Sequence, residues 1–354
     1  MRGMRKGVLL AAAVLVIVSI GLGEELAFVD APGSPIKVSH AWYGAIGDFN
    51  EDGHLDIAVL CPLYYSPDDY SYAEGGTAAV AILLGNGDGT FGEPEFLPVG
   101  DGSWDSYTVT AVDTNEDGRL DLVVTNPGTG SLDGYYGWSR GVYVLLGDGT
   151  GGFSSPEEFF WPTGYEPKIV TPGDFDKDGH IDLAVTCSSE VDILFGDGSG
   201  AFPVRGRLNL MFGSGASGIV AADFHGDGYL DLAVSTMRRE NVMVLLNDYG
   251  ERFRLNVGWY ELPSASYALV AGDFNGDGVV DLAAISRTTQ VAKEGSYREM
   301  YKAHVSVLLG RGDGSFIGPT HIPTDRRHPR SIVAMDWPLG EVKPAKTGNK
   351  GGLK

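Results

Sequence analysis

The chain has 354 residues, with 47 acidic against 26 basic side chains and a formal charge of −21. Such a surface repels nucleic acid and anionic membranes, so neither is expected as a partner. Hydrophobic residues make up 43%, and glycine, at 52 residues, is about double its usual share of roughly 7%, which argues against disorder and for an all-β chain with many tight turns.

The first 23 residues read as a secretory signal. Arg2, Arg5 and Lys6 precede an apolar run from Val8 to Leu22, and small residues follow, with cleavage expected near Gly23. The run spans 15 residues, short of the roughly 20 that cross a bilayer as a helix. An uncleaved anchor is the alternative and the one route by which this chain would meet a membrane. The expected setting is secreted or cell-surface.

From residue 42 onward the sequence repeats. "DFNEDGHLDIAV" at 48 returns as "DTNEDGRLDLVV" at 113, "DFDKDGHIDLAV" at 174, "DFHGDGYLDLAV" at 223 and "DFNGDGVVDLAA" at 273. A second motif follows each copy: "VAILLGNGDGTF" at 80, "VYVLLGDGTGGF" at 142, "VDILFGDGSGAF" at 191, "VMVLLNDYGERF" at 242 and "VSVLLGRGDGSF" at 305. Each unit divides into four short strands, in the first unit near 42–48, 55–60, 79–84 and 91–99. The second strand, "LDIAV" or "LDLAV", is continuously apolar after its Asp, which predicts a sheet covered on both faces. Repeated four-stranded units of this kind predict a β-propeller over residues 26–338. Five units are complete. Residues 26–38 are expected to supply one strand of a closing blade and 330–337, around the truncated "AMDW" at Asp336, another; five blades are favoured over six. Residues 339–354 read as a disordered basic tail.

The acidic motif has the spacing D-x-(N/D)-x-D-G-x-x-D. In the first copy these residues are Asp48, Asn50, Asp52, Gly53 and Asp56. Oxygens at positions one, three, five and nine converge if the chain wraps round one point, and Gly at six permits a positive φ. The carbonyl at position seven adds another oxygen. Hard oxygen ligands in a flexible ring suit Ca²⁺ better than Mg²⁺ or Zn²⁺. An EF-hand would need Glu at position twelve between helices; that position holds Val59, Val124, Val185, Val234 and Ala284, and strands flank the loop.

The paired motifs resemble the FG-GAP or VCBS-type repeats of the integrin α-subunit propeller and its prokaryotic relatives, over residues 40–337. The resemblance implies up to five structural calcium ions, in the loops between strands one and two. Carried onto this sequence, the ligands are Asp48, Asn50, Asp52 and Asp56; Asp113, Asn115, Asp117 and Asp121; Asp174, Asp176, Asp178 and Asp182; Asp223, Asp227 and Asp231; and Asp273, Asn275, Asp277 and Asp281. His54, Arg119, His180, Tyr229 and Val279 would offer carbonyls only. His225 replaces the third oxygen in copy four, whose site is expected to be the weakest.

Alternation of turns places the calcium loops and glycine hairpins on one face of the disc. The other face receives the insertions 61–76, 125–141 and 286–303 and the 4–1 connections. These carry Tyr64, Tyr65, Tyr70, Tyr72, Trp104, Tyr107, Tyr135, Tyr136, Trp138, Tyr297 and Tyr301. Loop aromatics anchor ligands at low entropy cost, sugars among them; they also simply pack their own loops. Cys61 and Cys187 occupy matching places in non-neighbouring units and are expected to be buried free thiols. "RGD" at 311–313 lies inside a glycine hairpin, and the turn explains it. With no nucleophile–base group, P-loop or zinc spacing in view, the reading is a calcium-binding adhesion or binding module for an extracellular glycan or protein, without catalysis. A propeller-fold hydrolase and an accessory piece of a larger surface protein are the alternatives.

Overall fold

The computed structural model describes residues 26–27, 37–38, 43–61, 77–101, 108–126, 141–155, 160–164, 166–210, 215–250, 252–290 and 300–324. The leader, the segment 330–337 and the basic tail lie outside these. The described residues form strands and turns, and none of them belongs to a helix long and apolar enough to cross a membrane.

Twenty of the strands make five four-stranded antiparallel sheets, each in simple sequence order. Blade one holds β3 (Tyr43–Gly47), β4 (Asp56–Cys61), β5 (Thr77–Leu83) and β6 (Glu95–Asp101). Blade two holds β7 (Val109–Val112), β8 (Asp121–Asn126), β9 (Gly141–Leu145) and β10 (Phe160–Pro162). Blade three holds β11 (Val170–Gly173), β12 (Asp182–Thr186), β13 (Glu190–Phe195) and β14 (Val204–Asn209). Blade four holds β15 (Ala216–Ala222), β16 (Asp231–Thr236), β17 (Asn241–Asp248) and β18 (Arg252–Glu261), and blade five β19 (Ser266–Gly272), β20 (Asp281–Gln290), β21 (Met300–Gly310) and β22 (Phe316–Thr324).

The second strand of each blade is buried along its length from its aspartate in blades one to four and over Asp281–Ser286 in blade five. This is what a continuous apolar run requires: alternate side chains pack against the sheets before and after. Leu122 and Val124 face blade one while Val123 faces blade three, all fully buried. Shared apolar clusters join blades one and two, two and three, three and four, and four and five. Hydroxyls add polar staples: Thr108 and Thr125 of blade two both donate to the Lys168 carbonyl (3.0 and 2.8 Å), and Ser217 of blade four donates to the Ser266 carbonyl (2.5 Å).

An aromatic knob repeats at these joints. The residue after the first loop aspartate packs edge-on against a Phe of the next blade: Phe49 on Phe153 (5.7 Å), Phe175 on Phe253 (5.9 Å) and Phe224 on Phe316 (5.5 Å). Such pairs contribute about 0.5–1.5 kcal/mol beyond burial. In blade five the equivalent Phe274 is 44% exposed. Val305, Val307 and Leu309 on the same side are only half-buried, while their blade-four equivalents Val242, Val244 and Leu246 are buried. Among the described residues, no apolar cluster joins blade five to blade one.

Two sequence expectations are corrected here. Residues 26–38 contain two strands, not one: β1 (Leu26–Ala27) pairs with β2 (Lys37–Val38) in a separate antiparallel sheet. Both ends of the supposed loop 286–303 are strand, because β20 and β21 stay paired out to Gln290 opposite Met300, and residues 291–299 lie outside the described residues. Tyr301 is therefore a strand residue of β21, opposite Thr289.

Candidate metal loops

All five acidic motifs form the turn between a blade's first and second strands, in one conformation. Position six is Gly with positive φ in every copy, 85° at Gly53 and 96° at Gly179. Position four is also left-handed. Gly226 and Gly276 meet that demand freely, but Glu51, Glu116 and Lys177 hold φ of 57°, 58° and 61°.

Backbone amides and acid side chains fix the turn together. The first-position carboxylate accepts the position-six N–H, at 2.8 Å for Asp48 and Gly53, 2.8 Å for Asp113 and Gly118, and 3.1 Å for Asp174 and Gly179. In loops four and five it does the same, at 2.7 Å for Asp223 and Gly228 and 2.8 Å for Asp273 and Gly278. The fifth-position carboxylates Asp52, Asp117, Asp178, Asp227 and Asp277 accept the N–H of His54, Arg119, His180, Tyr229 and Val279 at 2.8–2.9 Å. The third-position oxygens of Asn50, Asn115, Asp176 and Asn275 accept the position-five N–H at 2.8–3.3 Å.

The ninth-position aspartate has a second role that its spacing did not reveal. Asp56, Asp121, Asp182, Asp231 and Asp281 are fully buried. One oxygen of each accepts the N–H of position two: Phe49, Thr114, Phe175, Phe224 or Phe274, at 2.7–3.0 Å. The other accepts the N–H that opens the glycine hairpin: Gly85, Gly147, Gly196, Asn247 or Gly310, at 2.7–2.8 Å. Each carboxylate thus clamps the acidic loop to the hairpin beside it. Neighbouring loops are also stitched together: His180 Nδ1 meets Glu116 Oε1 at 2.7 Å, and Lys177 sits 3.8 Å over the Tyr229 ring.

Loop three shows what this arrangement can hold. Asp174, Asp176 and Asp182 each bring one oxygen within 4.8 Å of the others. The buried Asp174 Oδ1 has no hydrogen-bond partner. Burial pushes the Asp182 carboxyl up to about 6. Burial also raises Asp176, and the charges of Asp178 and Asp174 add to the shift. Three crowded acids with an orphaned buried oxygen fit a hard cation such as Ca²⁺, which removes their repulsion. Asp121 and Asp231 are likewise raised, by burial first.

Loop four is arranged differently. His225 Nδ1 lies 2.8 Å from Asp231 Oδ2 and Nε2 lies 2.9 Å from Asp227 Oδ2. Burial pulls this imidazole down, but the Asp231 bond and the charges of Asp231, Asp227 and Asp223 outweigh it, and its net shift is upward.

A further titratable group lies outside the loops. Cys187, Glu190 and Asp192 gather on blade three; Arg205 pairs with Asp192 at 2.8 Å, and Gly164 N–H donates to it at 2.6 Å. Cys61 and Cys187 are buried and free, and burial pushes both thiols up to about 12. They are inert thiols at neutral pH. In the RGD tripeptide, Asp313 caps Ser315 N–H at 2.9 Å and Arg311 N–H closes on the Ser315 carbonyl at 3.0 Å, a turn as expected. Of the aromatic candidates, Tyr64, Tyr65, Tyr70, Tyr72, Trp104, Tyr107, Tyr135, Tyr136, Trp138 and Tyr297 lie outside the described residues.

Four-stranded antiparallel blades, each with an acidic 1–2 loop clamped to a glycine hairpin, define an all-β repeat protein of the propeller class. The FG-GAP-like repeat matches residues 48–124, 128–185 and 174–234, and the FG-GAP repeat matches residues 106–145. The chain belongs to the FG-GAP repeat family. No curated protein matches the sequence. Among solved structures it is similar to an Agrocybe aegerita lectin that recognises non-reducing terminal N-acetylglucosamine, at 16% identity over 79% of each chain with a TM-score of 0.43. It is similar to the V. cholerae biofilm matrix protein Bap1, at 14% identity over 82% of this chain and 41% of that one, with a TM-score of 0.43. A third likeness is to 1,3Gal43A, an exo-β-1,3-galactanase from Clostridium thermocellum, at 11% identity over 82% and 63% of the two chains, with a TM-score of 0.40.

Proposed function

We propose that this chain is an exported propeller whose acidic loops hold structural calcium and whose opposite face binds an extracellular glycan or protein without catalysing a reaction. The observation that carries the calcium reading is loop three: three aspartate oxygens within 4.8 Å of one another, with the buried Asp174 Oδ1 lacking any hydrogen bond. Bound calcium supplies positive charge at the turn, and Asp174, Asp176, Asp178 and Asp182 would hold it there. Sites of the extracellular kind, with Kd of about 10⁻⁴–10⁻³ M, would each add roughly 0.4–1.4 kcal/mol near millimolar calcium. Melting the full chain in calcium and in EGTA tests this; a substantial drop on chelation is expected, and an identical melt removes the structural role.

The binding face rests on the aromatic insertions. Replacing Tyr136 and Trp138 with Ala together is expected to abolish glycan-array or partner binding and leave the melt intact. Binding that survives the pair, or turnover of a polysaccharide or ester by the wild type, would reject this reading.

A further inference from the structure

In loops one, two, three and five the third position carries an oxygen side chain that accepts the position-five N–H. Loop four carries His225 there, and its ring is turned into the loop. Nδ1 lies 2.8 Å from Asp231 Oδ2 and 3.9 Å from Asp223 Oδ1, and Nε2 lies 2.9 Å from Asp227 Oδ2. One ring therefore faces the carboxylates of positions one, five and nine, the same three groups that calcium would need. The side chain is only 16% exposed.

The ring stands between the Asp227 and Asp231 carboxylates, and its Nδ1 shares a hydrogen bond with Asp231 Oδ2 at 2.8 Å. Calcium needs six to eight oxygens at about 2.3–2.6 Å; here an imidazole stands among the available oxygens and the third-position oxygen is missing. Asp223, His225 and Asp231 bring one ligand atom each within 4.8 Å of the others, but this mixed nitrogen–oxygen set does not match the all-oxygen cage that calcium takes.

We propose that loop four takes no calcium, because the His225 ring occupies the space between its carboxylates and the third-position oxygen is missing. The proposal rests on the calcium reading of the other four loops and gives the chain at most four ions.

The experiment is a calcium titration of the full chain by calorimetry, with terbium luminescence as an independent count, on the wild type and on His225→Asn, which restores the third-position oxygen. Four ions in the wild type and five in His225→Asn are expected. Five in the wild type, or no additional ion in the variant, overturns the proposal and leaves the calcium reading standing. No ion in either protein removes the calcium reading itself, and this inference with it. A parallel zinc titration guards the assignment: zinc bound by the wild type and lost in His225→Asn would make the ring a metal ligand and reject its role as the group that fills the loop. If His225→Asn does not fold, the wild-type count alone decides.

Discussion

Loops three and four share one backbone path and one ninth-position clamp, yet they solve the same electrostatic problem in opposite ways. Loop three leaves Asp174, Asp176 and Asp182 crowded, with an oxygen unpartnered. Loop four places an imidazole between Asp227 and Asp231. The difference teaches that one turn, held by one clamp, can leave its carboxylates open to one another or place a side chain between them. The clamp belongs to the architecture; what fills the turn belongs to the individual loop.

The largest effect is expected where the two loops are alike. Asp182→Ala and Asp231→Ala each strip two buried N–H groups of a charged acceptor, and each is expected to cost about 3–5 kcal/mol in urea unfolding. A loss below about 1 kcal/mol in either would show that the clamp does not hold loop to hairpin. The next contrast uses the knobs. Phe224→Ala, at a buried site against Phe316, is expected to cost about 3–5 kcal/mol, whereas Phe274→Ala at its 44% exposed site should cost under about 1 kcal/mol. Equal losses would mean that blade five is covered on its open side.

A smaller effect separates the loops by pH in calcium-free buffer. Burial raises the folded-state pKa of Asp182 to about 6, above its unfolded value of about 3.9. A carboxyl raised on folding gives its full stability below the unfolded pKa and loses it as pH rises through the folded one. The metal-free chain is therefore expected to melt lower at pH 7 than at pH 5, and Asp182→Asn to flatten that slope. The smallest effect lies in the backbone. Glu51 holds a φ of 57° where Gly226 and Gly276 serve the same position. Glu51→Gly is expected to be neutral or to gain up to about 1 kcal/mol, despite the usual cost of glycine.

Much of this was legible in the sequence. "LDLAV" is continuously apolar because both of its faces are covered, so the second strands and the five complete four-stranded units followed from local pattern alone. The glycine at position six was readable because only a tight left-handed turn demands it. The clamp was not readable, since Asp56 meets Gly85 and Asp281 meets Gly310 across 29 residues of chain. The left-handed position four was hidden because Glu51, Glu116 and Lys177 do not advertise it. The long strands of blade five were missed because "SRTTQ" lacks an apolar pattern, and their pairing comes from the ladder of β20 with β21. His225 read as a missing ligand, when its ring is what fills the loop.

The central claim, as proposed above, is that calcium locks the other acidic turns and that the His225 ring keeps it out of loop four. Amide hydrogen exchange of the full chain, with calcium and then with EGTA, tests it most directly. Chelation is expected to strip protection from the Gly179 and His180 amides of loop three and to leave Gly228 and Tyr229 of loop four protected. Unchanged protection in loop three, or equal loss in both loops, would contradict the account.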